Sequence, residues 1–247
     1  MQQRIYFSWQ FGLTAVLCMV GGILLGACSP TPPTAVPEGD TEPASIVTAP
    51  TAEPTAPSLE PIDLSNVTRT PSQAEGPYYP VEKPSDVNND LVIVAGATAP
   101  AEGPVMHLSG KLYDAQGFPL EGATIEIWQT DNNGIYLHPN DPNIANRDEN
   151  FQGYGEAVTT ADGSYNFITL VPGLYGGRPR HIHVKVKLDG QTLLTTQFYF
   201  VGDERLESDG IAAGNSAIAA VTMNLIPAVD ENGDEFFRAT QDIILGG

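Results

Sequence analysis

The sequence has few cysteines and few basic residues, and both shortages narrow its possible functions. Its 247 residues include two cysteines, and 11 lysines and arginines stand against 30 aspartates and glutamates, for a formal net charge of −19. This excess of negative charge argues against nucleic acid as a partner and against a basic patch that binds anionic lipid. Both cysteines, Cys18 and Cys28, lie near the amino terminus. The rest of the chain therefore has no disulfide, and a metal ion there must be bound by His, Tyr, Asp or Glu.

The first 28 residues predict export. Arg4 precedes an apolar run over residues 11–25, which is short for a membrane span and typical of a secretory signal. The run leads into "LLGAC", residues 24–28, which resembles a bacterial lipobox and implies a lipid on Cys28. An uncleaved anchor helix is the alternative. With either anchor, we expect the protein to be exported and held at the outer face of the bacterial cell membrane.

The composition changes again after the signal. Residues 29–65 are dominated by Pro, Thr, Ala and Glu and contain few large apolar side chains, which predicts a disordered tether. Residues 66–247 have the length of a single domain. We therefore expect a lipoprotein-type signal peptide (1–28), a tether (29–65) and one folded domain (66–247).

Short strand patterns separated by turn residues run from residue 107 to the end of the sequence. The clearest strands are predicted at 108–113, 123–129 and 181–188, and residues 154–170 predict a hairpin-like unit around the turn Asp162-Gly163. A weak helix candidate lies within 208–220. The pattern predicts an all-β fold, an antiparallel β-sandwich with long loops. Its repeats resemble transthyretin-like sandwich modules, many of which only bind or separate other domains, so a non-catalytic binding module is one interpretation.

Two of the four histidines lie on one face of the predicted strand 181–188. Side chains alternate along a strand, so His181 and His183 can point at one ion while Ile182 and its alternate neighbours face the core. Tyr175 precedes them across a Gly-rich turn, and Tyr136 follows an Asn-Asn-Gly turn. Two histidines and two tyrosines suit Fe(III), because Zn(II) prefers His, Cys and carboxylate ligands.

Other interpretations of these residues remain open at this point. A zinc or copper site built from His181, His183 and His138 is the alternative to iron. The neighbouring side chains have simpler interpretations, which are core for Trp128, packing or pocket rim for Tyr78 and Tyr79, and solvated or rim charges for Lys185 and Lys187.

Five segments between residues 70 and 245 carry a family resemblance. They are "TPSQAEGPYYP", "PLEGATIEIWQTDNNGIY", "DGSYNFITLVPGLY", "GRPRHIHVKV" and "TTQFYFVGD". In this order they are similar to the intradiol ring-cleaving dioxygenases, which include the protocatechuate and catechol dioxygenases. The resemblance implies a β-sandwich enzyme that uses Fe(III) and O2, without an organic cofactor, to cleave catecholic aromatics to cis,cis-muconate-type dicarboxylates.

The same resemblance implies which residues bind the metal. Tyr136 and His183 would be the equatorial ligands of Fe(III), and Tyr175 and His181 would be the axial ligands. When substrate binds, the Tyr175 phenolate would leave the ion and serve as a base.

Two further residues match the family's substrate pocket. Arg178 matches the arginine that lies over the substrate ring, where its charge would stabilise the transition state, and Gln197 matches the pocket glutamine. Tyr175 lies only six positions before His181, whereas the intracellular enzymes have a longer insertion there. We therefore expect a more open site than theirs.

Overall fold

The computed structural model describes residues 59–246, which form an almost entirely β structure. The ten strands of this part of the chain are Val105–Tyr113 (β1), Thr124–Trp128 (β2), Tyr154–Val158 (β3), Ser164–Leu170 (β4), His181–Leu188 (β5), Gln191–Phe200 (β6), Thr222–Met223 (β7), Ile226–Val229 (β8), Glu235–Thr240 (β9) and Ile243–Ile244 (β10). Two short 3-10 helices cover Ile144–Asn146 and Ile218–Val221. The prediction of an all-β fold is confirmed.

The strands form two five-stranded sheets. The first has the order β10-β1-β9-β8, with β4 paired to β1, and the second has the order β3-β2-β5-β6-β7. Five strand pairings are antiparallel, whereas β1 pairs in parallel with β9 and β10, and β6 pairs in parallel with β7. The predicted antiparallel arrangement is therefore correct for most of the structure, and the sheets as a whole are mixed.

The apolar faces of the two sheets form one core. Ile182, Val184 and Val186 of β5 are fully buried and belong to the same cluster as Met106 and Leu108 of β1. Strand β5 therefore has the apolar face that its sequence predicts, and its histidine face lies on the other side of the sheet.

The segment 154–170 departs from its predicted hairpin. Strand β3 pairs with β2 and strand β4 pairs with β1, so the turn at Asp162-Gly163 connects one sheet to the other. The alternation of apolar residues is the same in both arrangements, because each strand has one face against the core. The sequence pattern predicts the strands but not their partners.

The remaining predictions concern helices and the amino-terminal segments. The helix candidate at 208–220 is wrong, since this segment consists of turns and the start of the second 3-10 helix. Within residues 59–246, no helix has the length and apolar character needed to span a membrane. The signal peptide and most of the tether lie outside the described residues, while Ile62 donates a backbone hydrogen bond to the Gly117 carbonyl (3.0 Å).

Candidate metal centre

The two strand histidines lie on the outer face of the second sheet and are nevertheless buried. His181 and His183 are 4% and 3% exposed. His183 stands opposite Trp128 of β2 and opposite Gln197 of β6 in the sheet register. Residues 73–79, here called the strap, cover this face of the sheet, with Gly76 against the edge of the His183 ring. The strap therefore converts an outward-facing sheet surface into an enclosed site.

Hydrogen bonding determines the tautomer of His181. Its Nδ1 lies 2.7 Å from the carbonyl oxygen of Pro179, so Nδ1 carries the proton and donates it. Its Nε2 then has a free lone pair, which accepts from the Tyr136 hydroxyl at 3.0 Å. Burial, together with the Arg178 charge, lowers the pKa of His181 to about 4. The ring is therefore neutral, with Nδ1 anchored to the backbone as in most metal-binding histidines.

His183 is held by stacking rather than by hydrogen bonds. Its ring lies parallel to the Trp128 indole, with centroids 4.8 Å apart and an interplanar angle of 8°. Burial lowers the pKa of His183 well below its usual range, so this imidazole is neutral too. Its buried Nδ1 has no hydrogen-bond partner among the described residues. An unpartnered ring nitrogen at this depth is an unusual feature that a bound cation at the ring would explain.

The two tyrosines come from turns that touch through their main chains. Tyr136 follows the turn closed by Asp131, and Tyr175 follows the Pro172-Gly173 turn. A Cβ on Gly134 would collide with the Leu174 carbonyl, and a Cβ on Gly173 would collide with the Gly134 nitrogen. Glycine at both positions lets the two turns approach closely, which brings the tyrosine rings to 5.4 Å between centroids.

Both phenols are neutral in the absence of a cation. Tyr136 is 2% exposed, and burial raises its pKa well above the usual range. Burial and a hydrogen bond to Tyr78 raise the pKa of Tyr175 to about 12. The Tyr175 hydroxyl donates to the Tyr78 hydroxyl (2.9 Å), and the Tyr78 ring stacks on Tyr136 with centroids 4.8 Å apart. The sequence predicts packing or a position at the pocket rim for Tyr78, and the structure makes it part of the site.

Arg178 and Gln197 lie on the same side of the histidines. One Arg178 nitrogen, Nη1, donates to Gln197 Oε1 at 2.9 Å and lies 3.3 Å from His181 Nε2. The rest of the guanidinium forms a two-pronged ion pair with Asp209, at 2.8 Å and 2.9 Å. Burial disfavours the Asp209 carboxylate, but hydrogen bonds from Arg178 and from the Ala212 backbone outweigh it and lower the Asp209 pKa to about 2. Asp209 has no sequence signal of its own, because it belongs to an irregular loop.

Of the two lysines of β5, Lys185 differs from its predicted role. Lys185 is 7% exposed, pairs with Glu75 of the strap at 2.6 Å, and lies 3.5 Å from the centroid of the Tyr79 ring. Lys187 is half-buried and pairs with Glu126 at 2.7 Å. The prediction of a solvated or rim charge is wrong for Lys185, because the strap covers it and supplies both its counter-ion and an aromatic face.

The other two histidines do not extend the donor set. His138 is buried and packs edge-on against Tyr78, with centroids 5.4 Å apart, while His107 is exposed beside Phe236 in the first sheet. Across residues 59–246, no three His, Cys, Asp or Glu side chains are grouped so that they could bind a metal. The alternative zinc or copper site that includes His138 is therefore not supported.

The donor set that remains consists of two imidazoles and two phenols. Tyr136, Tyr175, His181 and His183 converge, with ring centroids of the two histidines 4.8 Å apart and those of Tyr136 and His183 6.0 Å apart. Phenols bind a metal well only when the ion is acidic enough to remove their protons. The residues present therefore fit Fe(III) better than Zn(II).

Comparison with known proteins identifies the family of this chain. The family model Dioxygenase_C, described as dioxygenase, matches residues 74–247. The protocatechuate 3,4-dioxygenase beta chain of Burkholderia cepacia is 34% identical over 151 residues, which are 58% of this chain and 64% of the relative. The chain belongs to the intradiol ring-cleavage dioxygenase family. A catechol 1,2-dioxygenase of Acinetobacter baylyi is 29% identical over 188 residues, which are 69% of this chain and 57% of that protein.

Solved structures agree with this intradiol dioxygenase assignment. The dioxygenase domain of a dioxygenase carbohydrate-binding protein fusion from Streptomyces sp. SirexAA-E is 33% identical, with a TM-score of 0.56 over 72% of this chain and 99% of that chain. Catechol 1,2-dioxygenase from Acinetobacter sp. ADP1 is 27% identical, with a TM-score of 0.58 over 72% of this chain and 62% of that chain. The intradiol dioxygenase domain thus corresponds to nearly the whole Streptomyces domain and to about three fifths of the catechol 1,2-dioxygenase.

Proposed function

We propose that this protein is an Fe(III)-dependent intradiol dioxygenase that uses O2 to cleave catecholic aromatics to cis,cis-muconate-type dicarboxylates. The observation that carries the proposal is the convergence of two neutral imidazoles and two phenols beside a half-buried arginine. Family membership supports it, because the curated relatives include catechol and protocatechuate dioxygenases.

Four side chains would bind the ion, namely Tyr136, Tyr175, His181 and His183. When held by these donors, Fe(III) would supply the Lewis acidity that ionises the phenols and makes a catechol ring reactive toward O2. The protein contributes a preorganised set of donors. His181 is oriented by its Nδ1–H bond to Pro179, and His183 is oriented by the Trp128 ring.

Tyr175 is the donor best placed to exchange a proton with substrate. It is the less buried of the two phenols and precedes Gly176 and Gly177, both of which have positive φ. As a phenolate, its Oη would accept a proton from the bound catechol. The neutral hydroxyl that results already has an acceptor in Tyr78, whose Oη lies 2.9 Å away. Tyr78 would therefore stabilise Tyr175 after it has taken up the proton.

Arg178 and Gln197 would act on the charge that develops on the substrate ring. Gln197 Oε1 and Asp209 fix the guanidinium from two directions, so little reorganisation is needed when the ring gains negative charge. Gln197 is itself fixed, because its Nε2 donates to the strap carbonyl of Ala74 at 2.8 Å.

The colour of the iron-loaded protein tests the proposed ligands. The purified chain reconstituted with Fe(III) is expected to be reddish, because charge transfer from the Tyr136 and Tyr175 phenolates to ferric iron absorbs visible light. Metal analysis and a visible spectrum provide the measurement, and a sample loaded with Zn(II) is the colourless control. Stoichiometric iron without a visible band would contradict tyrosine ligation, and failure to bind iron would contradict the proposal as a whole.

We propose that this reaction takes place at the outer face of the cell membrane, with the protein held by a lipid on Cys28. The support is the "LLGAC" motif at the end of an apolar run. A Cys28→Ala variant is expected to leave the membrane fraction, because the residue that receives the lipid is gone, while its ring-cleaving activity is retained. Fractionation and mass spectrometry of the mature protein test this, with Cys18→Ala as the matched control. An unmodified Cys28 in the wild-type protein would refute the proposal.

A further inference from the structure

The site contains two positive charges, the half-buried Arg178 and the buried Lys185, and each has its own carboxylate. Arg178 forms its two-pronged pair with Asp209, whose side chain is 5% exposed. Lys185, with a side chain that is 8% exposed, pairs with Glu75 of the strap at 2.6 Å. Both pairs flank the donor set, since Arg178 Nη1 lies 3.3 Å from His181 Nε2 and Lys185 follows His183 by two positions on the same face of β5. The positive charge around the donors is therefore already compensated.

The loop that supplies Asp209 adds further negative charge on the Arg178 side. Residues 203–209, "DERLESD", contain four acids and one arginine. The Asp203 carboxylate accepts the backbone N–H of Arg180 at 2.8 Å and that of Arg205 at 3.0 Å. Counted over this loop together with Arg178 and Arg180, four acids outnumber three arginines. The chain as a whole carries a formal charge of −19, so the long-range field has the same sign as the local one.

We propose that this site selects catechols whose ring substituents are uncharged and rejects those that carry a carboxylate. The inference rests on the proposed function, and it names the class of catechol that the site accepts. A ring carboxylate entering beside Arg178 would meet a guanidinium that Asp209 already holds. It would have to displace Asp209 or remain without a full counter-charge in a largely buried site, and both are unfavourable. An uncharged substituent meets neither obstacle, so the discrimination arises from rejection of the anion.

The test compares catechol with 3,4-dihydroxybenzoate on the purified, iron-loaded full chain. We expect kcat/KM to be at least about 10-fold lower for the carboxylate, and we expect the two rates to differ in their response to salt. The Debye length falls from about 30 Å at 0.01 M to about 10 Å at 0.1 M ionic strength, so added salt should raise kcat/KM for the anion and leave that for catechol nearly unchanged. Anaerobic calorimetric titration of both compounds provides a second readout that does not depend on turnover.

Neutralising variants locate the origin of the discrimination. Glu75→Gln should raise the ratio of kcat/KM for 3,4-dihydroxybenzoate to that for catechol by several fold, because Lys185 loses its counter-charge. The salt dependence of kcat/KM for 3,4-dihydroxybenzoate should fall as well. A double variant, Glu204→Gln with Glu207→Gln, changes two exposed loop acids and tests the same point if Glu75→Gln unfolds. Glu235→Gln, an equal charge change at the start of β9 in the other sheet, is the matched control and should leave the ratio unchanged.

The outcomes separate this inference from the proposed function. Turnover or binding of the carboxylate equal to that of catechol, or a ratio that Glu235→Gln shifts as much as Glu75→Gln does, would overturn the selection for uncharged catechols while ring cleavage stands. If neither compound is bound or cleaved, the proposed function itself fails and the inference fails with it.

Discussion

Replacing His181 by alanine is expected to abolish iron binding and ring cleavage together. His181 is 4% exposed, its Nδ1 is anchored to Pro179, and its free Nε2 lone pair faces the Tyr136 hydroxyl. Removing residues that merely orient a ligand lowers metal affinity 10–100-fold in known sites, so loss of the ligand itself should lower iron affinity by at least about 100-fold. Iron content after desalting and the visible spectrum measure the effect.

Tyr175→Phe is the informative comparison for this prediction. Tyr175 lies in a turn flanked by two glycines of positive φ and is less buried than Tyr136. We expect the Phe variant to keep most of its iron and to turn over slowly, because the phenol that accepts the substrate proton is missing while three donors remain. If His181→Ala retains stoichiometric iron, or if Tyr175→Phe loses it to the same extent as His181→Ala, the proposed ligand roles are wrong.

Arg178→Ala is expected to retain iron and colour and to lose about 10²–10³-fold in kcat. The guanidinium is not one of the proposed ligands, but it lies 3.3 Å from His181 Nε2 and is fixed by Gln197 and Asp209. Fixed donors aimed at developing charge contribute about 2.7–4 kcal/mol to a transition state, and Arg178 is the cation placed for this role. Single-turnover rates of dicarboxylate formation, followed by ultraviolet absorbance, provide the measurement.

Arg178→Lys separates charge from geometry in the same experiment. Lysine keeps the positive charge but cannot form the two-pronged contact with Asp209 while also donating to Gln197. We expect only partial recovery of kcat relative to Arg178→Ala, with an unchanged visible band. Wild-type turnover by Arg178→Ala would show that the guanidinium does not act on the ring and would remove it from the mechanism.

Local sequence pattern was sufficient to predict strand β5 and its two faces. The alternation from His181 to Leu188 fixes which side chains share a face, and the structure gives the strand the same bounds. Alternation does not determine what covers the outer face. Lys185 is buried because the strap, more than 100 residues earlier in the chain, crosses β5 with Glu75 and Tyr79. The alternation of side chains within β5 therefore does not indicate a contact with residues so distant in the sequence.

The neighbours of the donor set were the least predictable part of the site. Asp209 lies in an irregular loop, and only its distance to Arg178 reveals its role. Tyr78 belongs to a motif that carries the family resemblance, but its contacts with Tyr136 and Tyr175 come from three separate segments meeting in space. The sequence does not predict that β3 pairs with β2 and β4 with β1, because these pairings also depend on separate segments meeting in space. A short stretch of sequence determines the alternation of apolar and polar side chains. It does not determine which distant segment packs against them.

The close approach of Gly134 and Gly173 bears on how this scaffold can diversify. Because main-chain atoms of the two turns touch, the spacing between Tyr136 and Tyr175 depends on backbone packing rather than on neighbouring side chains. Residues at the rim, such as the exposed Leu174, can then vary without moving the phenols. A lineage could change its range of substrates through such positions while the donor geometry stays constant, whereas exchange of either glycine would disturb the tyrosines and every substrate at once.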